Sequence, residues 1–189
     1  MKMIEGKDEI GYVLDFFMPT DRKSFRSKHT SLVQIIGNKT FYLLECVPRL
    51  GATFIPGEKI YIGDQKRDKI QYIAGTVFPS SMTRSARLNL LDVCKKIVAD
   101  NEQKFIKFIN IAPPISAQHH SLGMLHGIGP HNLRDILEER AKKPFESYDD
   151  FKVRTDINIK PILAERLKRE IEGNEIVCLF VTRRTPEER

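Results

Sequence analysis

No pair of cysteines in this sequence has the spacing of a metal knuckle or a disulfide framework. Cys46, Cys94 and Cys178 are odd in number and far apart, so free thiols are expected. No apolar run approaches the roughly 18 residues that a membrane span requires. The opening MKMIEGKDEI lacks the apolar segment of a secretory signal, and a cytoplasmic protein without a membrane partner is expected. An H-E-x-x-H motif is also missing. His119, His120, His126 and His131 crowd one region but have no cysteine beside them, so no metal and no cofactor is expected.

What is present suits a globular protein. Hydrophobic residues make up 41% and charged residues 30% of the 189, enough to build a core. Net charge is +6, from 31 basic and 25 acidic residues. Residues 1–121 carry 18 basic against 12 acidic side chains, whereas residues 122–189 carry 13 of each. The surplus in the first two-thirds suits a polyanionic partner without demanding one.

Residues 9–17, 31–37, 40–47, 58–63 and 69–78 are short runs rich in Ile, Val, Tyr and Phe. Gly, Pro, Asn and Asp punctuate them, with Gly37-Asn38 as a hairpin signal and Pro56-Gly57 as a second turn. Five strands in so short a stretch imply a small barrel over residues 1–80. After Pro79 the period changes to that of an amphipathic helix, with Leu90, Leu91, Cys94, Ile97 and Val98 on one face and Ser81 or Thr83 as its cap. Asn101 has the look of a second N-cap, and Pro113-Pro114 ends the helix that follows. Residues 81–115 are thus connecting helices, and residues 116–189 a helical region. Gly173 is placed to terminate its last helix. The nearly continuous apolar run EIVCLFV, residues 175–181, is expected to be a C-terminal strand buried on both faces.

The stretch LHGIGPHNLRDILEER holds the most specific signal. Leu122 and Leu125 suggest a short helix entering a Gly127-Ile128-Gly129 turn, and Pro130 suits the first position of the next helix. Such a turn presents backbone N–H groups beside the positive end of a helix, which suits a phosphate oxygen and reads no base. The candidate contacts are Gly127, Ile128, Gly129, His131, Asn132 and Arg134. The competing reading is a plain connector, with glycine supplying a positive φ. A dinucleotide fingerprint is disfavoured, because Asn132 stands at the third glycine position and no strand precedes the turn.

Residues 122–140 resemble the helix-hairpin-helix motif of nucleic-acid-binding proteins at Leu125, Gly127, Ile128, Gly129, Pro130 and Leu137. They depart from it at His126, where proline is common, and at His131, where lysine is common. A glycine-free second copy follows, opened by the Ser147-x-x-Asp150 box and continued by Leu163, Leu167 and Ile171, and it is read as structural. Over residues 5–181 the chain is similar to an uncharacterised, mainly archaeal family that joins an OB-like barrel to tandem helix-hairpin-helix motifs and is described as RNA-binding. The resemblance implies an α+β chain: an N-terminal OB-like barrel, a tandem helix-hairpin-helix region and the short strand. It also implies RNA in preference to DNA, and translation- or ribosome-related partners.

Two basic loops extend the candidate interface. Residues 21–31 supply Arg22, Lys23, Arg26 and Lys28 around Phe25, and residues 65–69 supply Lys66, Arg67 and Lys69. OB-folds grip single strands with such loops and with stacked aromatics. Tyr42, Tyr61 and Tyr72 are stacking candidates, though strand tyrosines are more often packing residues. No catalytic constellation is evident. The large helical domain of helix-hairpin-helix glycosylases and the lysine motif of DNA ligases are both missing, so a non-catalytic binder is expected. The alternatives are a protein-interaction module with a purely structural hairpin and a small nucleic-acid-processing enzyme.

Overall fold

The computed structural model describes residues 7–19, 31–116 and 119–181. It is an α+β architecture, a curled five-stranded antiparallel sheet with five α-helices among the described residues. The chain divides into two compact units, Met1–Val93 with Lys168–Arg189, and Cys94–Leu167. Among the described residues no helix is long and apolar enough to cross a membrane.

In the first unit the strands are β1 (Ile10–Phe17), β2 (Leu32–Gly37), β3 (Leu43–Pro48), β4 (Lys59–Tyr61) and β5 (Ile70–Thr76), in the order β4-β1-β2-β3-β5. The five strands expected over residues 9–78 all form. The sheet curls but, among the described residues, hydrogen bonds do not close it, so β4 and β5 are its edges. Irregular register at Val13/Asp15 and at Glu45/Cys46 marks where the strands bend. One face gathers Val13, Val33, Ile35, Leu44, Cys46, Ile60, Ile62 and Ile70 into a core.

The opposite face is polar along one row. Asp15, Gln34 and Glu45 stand side by side on β1, β2 and β3. Gln34 Nε2 donates to Glu45 Oε1 and to the Ser81 carbonyl, each at 2.9 Å, while Gln34 Oε1 accepts from Thr83 N–H at 3.0 Å. Thr83 Oγ1 donates to Asp15 at 2.6 Å and accepts from Ala86 N–H at 2.9 Å, so the residue that caps α1 (Arg84–Asp100) also docks its start on the sheet. Two-sided burial explains why β2 and β3 contain no exposed residue. The turn after β2 is longer than Gly37-Asn38 suggests. Residues 38–42 intervene, Phe41 adopts a φ of +56°, and the Asp8 carboxylate accepts the Lys39 and Thr40 N–H groups.

In the second unit follow α2 (Glu102–Ile111), a 3₁₀ turn (Ser121–Met124), α3 (Pro130–Lys142), α4 (Tyr148–Thr155) and most of α5 (Ile159–Ile171). Phe105, Leu122, Leu125, Ile136, Phe145, Phe151, Leu163 and Leu167 are buried in it. Asn101 makes no side-chain cap for α2; its Nδ2 instead donates to the Ile97 carbonyl at 2.7 Å, closing α1. The Ser147 box forms with its return bond shifted by one residue. Ser147 Oγ accepts from Asp150 N–H, and the Asp150 carboxylate reaches back to Glu146 N–H, both at 3.0 Å.

Helix α5 ends at Gly173, whose φ is +78°. Gly173 N–H donates to the Glu170 carbonyl and Asn174 N–H to the Arg169 carbonyl, the paired bonds of a Schellman terminus. Beyond it the expected strand is absent. Residues 175–181 form bends, Ile176 is 90% exposed, and only Phe180 is buried. Their backbone groups find another partner. The buried Glu170 carboxylate accepts N–H bonds from Leu179, Phe180 and Val181 at 2.7, 2.8 and 2.9 Å, which satisfies donors that a strand ladder would otherwise take up. Glu170→Gln replaces an acceptor with a donor facing those N–H groups, and is expected to lower unfolding free energy by about 1–3 kcal/mol in urea titrations. Ile176→Ser is expected to change it by less than about 0.5 kcal/mol. Equal losses from both would restore the buried strand.

Candidate nucleic-acid interface

The glycine turn lies in the second unit, between the 3₁₀ turn and α3. The Leu125 N–H bonds to the Leu122 carbonyl at 3.2 Å, and the Ile128 N–H to the Leu125 carbonyl at 2.9 Å. Ile128 is therefore a plug: its side chain is buried and its N–H is already used. It leaves the candidate contacts for that reason.

The two glycines differ. Gly127 has a φ of +105°, and a Cβ there would lie 3.3 Å from Ile162 Cδ1 on α5, so both backbone and packing demand glycine. Gly129 has an ordinary φ of −77° and ψ of 174°, and a Cβ there would meet nothing within 4 Å. The connector reading, in which glycine supplies a positive φ, therefore applies at Gly127 but not at Gly129, which is an extended N-cap. As N-cap it supplies no side chain to α3, and Pro130 follows without an N–H. Among the described residues the first-turn N–H groups of His131 and Asn132 have no hydrogen-bond partner, as expected where no cap is offered.

The charged side chains here largely answer one another. His131 Nδ1 lies 2.8 Å from Asp135 Oδ2, and Arg134 Nε lies 3.6 Å from Asp135 and 3.8 Å from Glu138. All are exposed or half-exposed pairs that contribute little to stability. A phosphate at this turn would rely on backbone donors and the helix end more than on net charge. His120, at the start of the 3₁₀ turn, is committed elsewhere. Its Nδ1 accepts from Leu122 N–H at 3.1 Å, and burial, then the Arg140 guanidinium, hold its pKa below the ordinary histidine range. Among the described residues no group of three or more His, Cys, Asp or Glu side chains is placed to hold a metal ion.

The second hairpin runs from α4 through Asp156 to α5. Asp156 takes a left-handed φ of +56° and its N–H donates to the Lys152 carbonyl at 2.8 Å, closing the helix without glycine. Arg154 is locked here. It stacks 4.4 Å from the Phe145 ring centroid, pairs with Glu139 and Asp150, and donates to the Glu139 and Lys143 carbonyls. The two hairpins meet through Arg166 of α5, 2% exposed, whose guanidinium donates to the Met124 carbonyl at 2.8 Å.

Of the basic-loop candidates, Arg22, Lys23, Phe25, Arg26 and Lys28 lie outside the described residues. Lys66 is exposed. Arg67 is half-buried, and its Nε donates to the Ile62 and Gly63 carbonyls at 3.1 and 2.7 Å. Burial pushes the Cys46 thiol up to about 12 despite this nearby guanidinium, which keeps the thiol protonated and unreactive. Tyr42 packs against the sheet core, as its type suggests, and with Tyr61 it also lines a cavity beside Arg67.

Comparison with known proteins places this geometry among relatives. The family described as "Protein of unknown function (DUF655)" matches residues 7–182. An uncharacterized protein of Methanocaldococcus jannaschii is 35% identical over 144 residues, which cover 76% of this chain and 66% of that protein. The match therefore spans slightly less than two-thirds of that relative's length. The crystal structure of Af1531 from Archaeoglobus fulgidus, titled with the same family, superposes with a TM-score of 0.81 at 30% identity over 93% of this chain and all of that one.

The unequal glycines give a stability test. Gly127→Ala is expected to cost about 1–2 kcal/mol, from the left-handed backbone and the Ile162 contact. Gly129→Ser should be neutral or stabilising by a few tenths of a kcal/mol, because a serine hydroxyl accepts from the first-turn N–H groups and glycine has nothing to offer them. Denaturant titration of both variants reads the difference; equal destabilisation would contradict the assignment.

Proposed function

Given that the chain belongs to the family described as "Protein of unknown function (DUF655)", we propose that it is a non-catalytic nucleic-acid-binding protein whose ligand is RNA in preference to DNA. The helical unit acts as a tandem helix-hairpin-helix module, its first turn holding a backbone phosphate and its second serving as a brace. The sheet unit acts as an OB-like module. Its β4 lies beside β1 rather than beside a sequence neighbour, and its β1–β2 and β4–β5 loops carry Arg22, Lys23, Arg26, Lys28, Lys66 and Arg67. Those are the loops through which OB-folds engage single strands.

Gly129 carries this reading. The fold has no steric or conformational need for glycine there, yet the residue stands bare at an uncapped helix start. Open approach to the His131 and Asn132 N–H groups supplies the reason that packing does not. The preference for RNA rests on the family resemblance alone. The contacts of His131 and Arg134 with Asp135 and Glu138 favour a second reading, a protein-interaction module whose hairpin is structural.

Gly129→Ser separates the two. A serine Oγ would take the N–H groups a phosphate needs, so binding to single-stranded RNA should weaken several-fold and equally for all sequences, while the fold stays as stable. Unchanged affinity would leave the hairpin structural. Replacing Arg22, Lys23, Arg26 and Lys28 together by Ser should flatten the log–log salt dependence by roughly 0.7 to 0.9 for each phosphate the loop no longer neutralises. An unaltered slope would remove that loop from the interface.

A further inference from the structure

A cavity of about 950 Å³ opens in the sheet unit, lined by both edge strands and the segments beside them. Leu44, Ile62 and Ile73 give it an apolar floor, and Tyr42 and Tyr61 give it aromatic walls. The Tyr61 ring is fixed in place. Its hydroxyl accepts from the Gln65 N–H at 3.2 Å, and Gly63 leaves the space it crosses, since a Cβ there would lie 2.6 Å from Tyr61 Cζ.

Arg67 also lines the cavity. Its two Nε bonds to the Ile62 and Gly63 carbonyls pin the guanidinium, and among the described residues its terminal nitrogens have no hydrogen-bond partner. A held guanidinium with an open fork matches a phosphate. The rest of the lining is balanced in sign. The half-exposed Lys39 pairs with Glu9 at 2.9 Å and Lys7 with Asp64 at 3.5 Å, the last three on well-exposed side chains. A polyanion threaded through would be repelled by those carboxylates, and an apolar ligand would strip water from them without return. One aromatic face, one anionic group and a few hydroxyl donors suit the cavity better.

We propose that this cavity binds one ribonucleotide unit, with its base against Tyr42 and Tyr61, its phosphate at Arg67 and its ribose hydroxyls donating to the carboxylates of Glu9 and Asp64. Sugar hydroxyls are what tell RNA from DNA at a given site. The proposal takes only its ligand class from the nucleic-acid reading above, and it does not need the glycine turn. A free nucleotide and the exposed end of an RNA strand share this chemistry.

The test uses the isotopically labelled full chain and the four ribonucleoside 5′-monophosphates with their 2′-deoxy counterparts. Amide shifts should change at Thr40, Gly63 and Gln65, with the ribonucleotides binding several-fold more tightly. Gly63→Ala, which displaces the Tyr61 ring, should weaken binding by roughly five-fold or more if stacking contributes its usual share. Glu9→Gln, on an exposed side chain, should leave the fold intact and draw the ribose-to-deoxyribose ratio toward one. A ratio unmoved by that change overturns the ribose assignment, and nucleotides that shift no cavity amide overturn the site. Single-stranded RNA titrated in parallel separates the two ideas. RNA bound without any mononucleotide response at the cavity sinks this proposal and leaves the broader one standing. Nucleotides bound at the cavity without RNA binding would support a free-nucleotide site and sink the broader one.

Discussion

A guanidinium with 2% exposure must be satisfied where it lies, because burying an unpaired charge costs more than most single contacts return. Arg166 meets part of that constraint at the carbonyl of Met124, the last residue of the 3₁₀ turn. Ile162 stands one helical turn earlier on α5, on the same stripe, and comes up beneath Gly127. One helix face thus fixes both the entry to the glycine turn and its middle. The position of α3, and of the N–H groups at its start, follows from those two contacts. Helix α5 supplies no candidate ligand contact of its own, yet the geometry of the first hairpin rests on it.

Where local chemistry decides structure, the sequence was readable. The β-branched and aromatic runs became strands, Thr83 capped α1, the Ser147 box closed on Asp150, and Gly173 terminated α5. The uncharacterised archaeal family suggested by the whole chain is the one its relatives define. Reading failed where a distant group intervened. EIVCLFV has strand composition, but Glu170, nine to eleven residues upstream, captures its N–H groups and leaves Ile176 in solvent. Periodicity cannot register a carboxylate buried at a helix end. Asn101 failed similarly, because its side chain had two backbone targets and turned back toward Ile97.

The candidate site was legible in part. The turn could be located from its glycines, but not that one glycine answers to Ile162 while the other answers to nothing in the fold. Nor could spacing reveal that Ile128 spends its N–H inside the turn. The cavity of the sheet unit was harder still. Its lining comes from residues 7 to 73, each of an ordinary type, brought together only by strand order. Tyr42 and Tyr61 look alike in sequence whether they pack or line a cavity.

An incompletely closed sheet has rims, and rims invite other chains. An unpaired strand presents a row of backbone donors and acceptors onto which a neighbour can add, the first step of polymerisation. Both rims here are blunted. β4 offers three residues between Pro56-Gly57 and Gly63, too few to template a lasting ladder. β5 is interrupted near its end by Gly75 at a φ of +146°, where the regular extension of an added strand would break. The opening that gives the cavity its mouth can therefore persist in a crowded milieu without seeding fibres.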